Sequence, residues 1–136
     1  MIILAAQLDS ILQAQTATNI VTNPLSWYCS FQYLPPNTVS YYSLVGQNIF
    51  GATPVQLTPT LSTTPPPSQQ ILILELTIFN TDTAPATVTI TINSITPGLT
   101  ATLYNCVLAP GETLSYNPTP GTDGSWNILD IRGNAR

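Results

Sequence analysis

The sequence contains no lysine and no histidine. These absences remove the commonest general base, Schiff-base lysines and every triad built on imidazole. Charge of either sign is scarce. Two arginines, Arg132 and Arg136, stand beside six acids: Asp9, Glu75, Asp82, Glu112, Asp123 and Asp130. A small acidic excess without a basic patch argues against nucleic-acid binding. The acids are scattered beside turns or on polar faces, and no pair is marked for acid–base work. The chain therefore reads as non-enzymatic. No cofactor or metal site is expected, although Asp82, Asp123 or Asp130 with carbonyls are the groups that could supply calcium ligands.

Cysteine is equally sparse. Cys29 and Cys106 allow at most one disulfide, and two sulfurs without histidine cannot close a zinc site. Cys29 alternates with Trp27, Phe31 and Tyr33 on one strand face, which fits a buried free thiol. No apolar run is long enough to span a membrane. Residues 1–6, MIILAA, are apolar but short, and they lack the basic flank of a signal peptide.

What remains is Thr, Ser, Asn, Gln and Pro interleaved with aliphatic and aromatic residues. So little charge is unusual for a freely soluble monomer, because charge keeps surfaces apart. A surface largely covered by partners is expected.

The chain is organised around residues 70–116. In residues 71–80, Leu72, Leu74, Leu76 and Ile78 alternate with Ile71, Ile73, Glu75 and Thr77. In residues 87–93, Val88, Ile90 and Ile92 alternate with Thr87, Thr89 and Thr91. A period of two is a strand pattern, and β-branched residues suit a pleated surface. Asn80-Thr-Asp-Thr-Ala-Pro85 between the runs is turn chemistry. Further strands are expected at residues 10–15, 25–34, 39–45, 99–108, 112–116 and 125–130. Residues 55–61 make an edge strand at best, because of Pro59. Residues 63–68, TTPPPS, are a stiff extended connector within the domain. No repeat or heptad is present.

About eight short strands with Pro/Gly turns predict an all-β fold: a single antiparallel β-sandwich, jelly-roll or immunoglobulin-like. The expected divisions are an apolar N-terminal arm at 1–6, the sandwich at 7–131 and a C-terminal tail at 132–136. The expected core is Leu74, Leu76, Ile78, Val88, Ile90, Ile92, Leu114, Trp27 and Phe31. Ile2, Ile3 and Leu4 of the arm are expected to dock on a neighbour. Tyr28, Ile71 and Ile73 are expected to form an exposed apolar face that also meets a partner.

The motifs at Ile78-Phe-Asn-Thr-Asp82, Val88 to Ile92, Leu108-Ala-Pro-Gly-Glu-Thr-Leu-Ser-Tyr116 and Trp126 resemble a β-domain of small virion structural proteins of tailed bacteriophages. The likeness covers roughly the second half of the chain. One departure is Gln69-Gln70, where such proteins often carry a basic residue. The resemblance implies a capsid decoration or cement protein, often trimeric, that bridges major capsid subunits on the outer surface of the head. Its partners would be itself and the major capsid protein or another virion protein, with no nucleic acid or membrane involved. The alternatives are a tail, neck or baseplate adaptor or fibre component, or a receptor- or glycan-binding module using surface aromatics.

Overall fold

The computed structural model describes residues 1–5, 10–34, 41–59, 70–94, 98–119 and 124–136. Among these the regular structure is entirely β. The strands are β1 (Ile3–Ala5), β2 (Ser10–Thr16), β3 (Leu25–Leu34), β4 (Tyr41–Ile49), β5 (Val55–Gln56), β6 (Gln70–Phe79), β7 (Ala86–Ser94), β8 (Leu99–Leu108), β9 (Thr113–Asn117) and β10 (Ser125–Leu129).

They form two antiparallel sheets packed face to face. The larger runs β10-β9-β6-β3-β4, with β1 also on β6, and the smaller runs β5-β2-β7-β8. The chain is thus the expected all-β antiparallel sandwich, with ten strands among the described residues. Of the edge strand expected at 55–61, the described residues 55–59 form strand only at Val55–Gln56. The connector expected at 63–68 lies outside the described residues.

The pairing β2·β7 in one sheet continues as β3·β6 in the other. Thr16 faces Val88 at the end of the first ladder, and Ser26 faces Phe79 at the start of the second. The two segments that cross between sheets, residues 17–24 and 80–85, run side by side over this corner. Ala17 N–H donates to the Thr87 carbonyl at 3.0 Å, and Thr81 Oγ1 to the Pro24 carbonyl at 2.8 Å. In effect a two-stranded ribbon is folded over on itself, and its inner faces become the core.

That core contains Leu12, Leu25, Cys29, Ile49, Leu57, Leu76, Ile78, Val88, Ile90, Leu108, Leu114 and Tyr116, all fully buried. Trp27 and Phe31 are also buried, while Leu74 and Ile92 are only half-buried. Leu74 falls short of its expected place because of a bulge. Ser30 faces Glu75 and Phe31 faces Ile73, so Leu74 has no partner on β3. One extra residue reverses the phase of the alternation. Leu76 and Ile78 point inward on one side of the bulge, and Ile71 and Ile73 point inward on the other.

Two expectations are therefore corrected. Ile71 and Ile73 are not an exposed face, since both are completely buried. Burial of such a side chain stabilises by roughly 1.5–3 kcal/mol, and within its own chain it does so without the entropic cost of association. Residues 1–5 are not a free arm either. Ile3, Leu4 and Ala5 pair with Leu72, Ile71 and Gln70. Ile73 N–H donates to the Ile2 carbonyl at 3.0 Å. Ile2 and Leu4 enter the protein's own core, leaving Ile3 on the outside. The tail at 132–136 is likewise tied down: Ala135 bridges to Leu129, and Arg136 N–H donates to the Ile128 carbonyl at 2.8 Å.

Candidate assembly surface

Charge is almost excluded from the strands. Glu75 on β6 is the one charged residue within the ten strands. Asp82, Glu112, Asp130, Arg132 and Arg136 all stand in turns or the C-terminal tail. Both sheets therefore present outer faces of Thr, Ser, Asn, Gln and scattered apolar residues. On the smaller sheet Asn105 Nδ2 donates to Thr89 Oγ1 at 2.7 Å across β7 and β8.

The two motifs singled out in the sequence meet at one end of the sandwich. Asn80 is fully buried, and its Nδ2 donates to the carbonyls of Ala84 at 3.0 Å and Leu108 at 2.9 Å. Its Oδ1 accepts from Asp82 N–H at 2.9 Å. Asp82 Oδ1 in turn accepts from the backbone N–H groups of Thr22 and Asn23, at 3.0 and 3.1 Å. Burial works against ionisation of Asp82. The backbone N–H groups of Asn23, Thr83, Thr22 and Val21 outweigh it and hold the carboxyl below its ordinary value. Glu112 closes its own turn, with Oε2 accepting from Ala109 N–H at 2.7 Å. Arg136 reaches it with an Nε–Oε1 contact of 2.7 Å, while Nη2 also donates to the Val107 carbonyl at 2.7 Å. Gly111 turns the chain with φ of 83°, a conformation glycine adopts without strain. These residues join the two sheet crossings to the β8–β9 turn. Their chemistry is spent on the fold.

The residues expected to form an interface are dispersed. Ile2, Leu4, Ile71 and Ile73 are buried, Tyr28 is half-buried on the outer face of β3, and only Ile3 is clearly exposed. The structure does not bring them together as one surface. Instead the long flanks of the sandwich differ from each other. On the β8–β10 flank, Trp126 stacks on Tyr104 at 4.8 Å and leans on Tyr116 at 4.8 Å. These rings cover part of that side. On the other flank, among the described residues, β5 is too short to cover β4. Tyr42 and Leu44 point toward the core side, paired with Phe31 and Cys29, yet remain 48% and 38% exposed. Tyr41 and Val45, on the outer side of the same strand, are 63% and 73% exposed. The Tyr42 ring packs on Phe31 and Tyr33, at 6.0 and 5.2 Å.

Sequence reasoning assigned β4 only as a hairpin partner of β3. The missed signal is its YYSLV run, which has apolar residues on both faces and no charge. A strand buried on one face alternates, whereas this one does not.

Among the described residues no group of acids and cysteines could hold a metal ion. No buried side-chain nitrogen or oxygen there lacks a hydrogen-bond partner. Both cysteines are free. Burial pushes the Cys29 thiol up to about 12. Cys106 rises to about 11, mainly through burial, with Arg136 lowering and Glu112 raising it. Both are protonated at neutral pH and poor nucleophiles. No described helix is long and apolar enough to cross a membrane. No family model, curated protein or solved structure matches the chain.

Proposed function

We propose that this chain is a non-enzymatic structural protein of a bacteriophage virion, acting as a capsid decoration or cement protein on the outside of the head. The observation that carries the reading is the near-absence of charge from both sheets, with Glu75 alone among the strand residues. An ion must be desolvated before it is buried in an interface, and a hydroxyl or amide costs far less when paired. Faces built this way can be covered over large areas by neighbouring subunits. The motif resemblance supports the same reading and adds the class of particle.

The mechanism needs no catalysis. Each copy would bury neutral polar and apolar surface against two or more shell subunits and against other copies of itself. Shell rupture then requires those contacts to break. Three copies around a local axis is the arrangement the resemblance implies.

Quantitative mass spectrometry of purified phage particles that encode the chain tests this. A copy number comparable to that of the major shell subunit is expected. A far lower number moves the protein to the tail, neck or baseplate. Absence from purified particles overturns the virion reading.

A further inference from the structure

We infer that β4 is a homotypic docking edge, at which two copies of this chain join their larger sheets through a two-fold axis at Ser43. Among the described residues β4 pairs on one side only, with β3. Its other side therefore presents the backbone groups of a sheet edge. Proteins usually blunt such an edge with charge, proline or a bulge. Residues 41–45 carry none of these. The one irregularity in β4 lies at its far end, where Leu25 faces Ile49 and Ser26 faces Gln47.

The side-chain order selects the occupant. An antiparallel second copy centred on Ser43 sets Tyr41 opposite Val45, Tyr42 opposite Leu44, and Ser43 opposite itself. Each aromatic ring meets an aliphatic side chain, the kind of cross-strand pair that stabilises sheets, and the pattern repeats on both faces. The four side chains so paired are the exposed apolar residues of this edge. A partner of different sequence would have to supply that complement; this chain already contains it.

Electrostatics do not oppose the contact, despite a net charge of −4 on each copy. The one charge in the larger sheet's strands is Glu75, which faces Ser30, which faces Ser43. With strands about 4.8 Å apart, the two Glu75 side chains would lie roughly 24 Å apart across the joint. That is beyond the ~8–10 Å screening length at ordinary salt. The inference does not depend on the virion reading, and an isologous contact closes with two copies rather than three.

Analytical ultracentrifugation of the full chain at micromolar concentration tests it. The parent should sediment as a monomer–dimer equilibrium. Ser43→Lys sets two like charges on the axis and should raise the dissociation constant at least about fivefold. Thr102→Lys, on the exposed edge strand β8, should leave it unchanged. Circular dichroism of each variant checks that the fold is retained. In a Cys106→Ser background, Ser43→Cys should give a disulfide-linked dimer on mild oxidation. A parent that sediments only as a monomer, or as a trimer, overturns the inference. Equal effects of Ser43→Lys and Thr102→Lys overturn it too.

Discussion

The backbone of Asn80 is bonded to both residues of the Gly111-Glu112 turn: Asn80 N–H donates to the Glu112 carbonyl at 3.0 Å, and Gly111 N–H donates to the Asn80 carbonyl at 2.9 Å. The β6–β7 crossing and the β8–β9 turn are thereby held as one unit. The Asn80 side chain adds the Ala84 and Leu108 carbonyls. Replacing it leaves the buried Leu108 carbonyl without that donor. Asn80→Ala should cost about 1–3 kcal/mol, measured by urea denaturation. A loss indistinguishable from that of an exposed Thr→Ala control such as Thr102→Ala contradicts this role.

Acid should loosen the same corner. Asp82 has a folded-state pKa below its ordinary value, so the unfolded chain takes up its proton first as pH falls. Its contribution is complete above the unfolded value of about 3.9 and is lost as pH drops through the lower folded value. Asp130 behaves alike, its carboxyl held low by Asn134 N–H first, against burial, and then by Arg132 N–H. Melting temperature should be flat with respect to these two groups from neutral pH to about 5 and decline below about 4. Asp82→Asn should flatten the acid limb. An unchanged slope in that variant would show that other groups set it.

The bulge at Leu74 makes a sharp mutational contrast. Ile73→Ala empties a fully buried site and should cost about 2–5 kcal/mol, as should Leu76→Ala. Leu74→Ala, at the half-buried bulge, should cost clearly less than either. Equal losses at 73 and 74 in chemical denaturation would contradict the phase reversal.

Gly46 lies under the Trp27 ring. A Cβ at Gly46 would stand 2.5 Å from Trp27 Nε1. That nitrogen donates to Asn48 Oδ1 at 2.8 Å. Gly46→Ala should push the indole off this bond, shift its fluorescence and cost roughly 1–3 kcal/mol. Unchanged emission with unchanged stability would mean the ring has room to move.

Much of the architecture was legible because alternation reports facing. Val88 and Ile90, or Trp27, Cys29 and Phe31, sit where a period of two places them. The reading failed where a single residue broke the count. Nothing in residues 71–74, ILIL, marks Leu74 as the unpaired one, because either face of that run is aliphatic. The bulge is chosen by what β3 offers opposite. The arm was misplaced for a related reason: alternation of Ile2 and Leu4 against Ile3 was present, but three residues are too few to distinguish a strand from a frayed end. Strand order was not legible, since a side chain's face does not name its neighbouring strand. The turn chemistry of Asn80 and Glu112 could be read, but their meeting could not, because it depends on the chain closing over the residues between them.

The ribbon folded over the corner also orders events in time. β3 cannot meet β6 until the chain between Leu34 and Gln70 has closed into a loop, which exacts its entropy before that ladder forms. Once those two strands are aligned, the neighbouring ladder of β2 and β7 is only a short crossing away on each side. Its register is then set by the first, as teeth follow in a zip. Such a chain assembles through one slow search followed by rapid closure, in the millisecond-to-second range of all-β domains dominated by distant pairings.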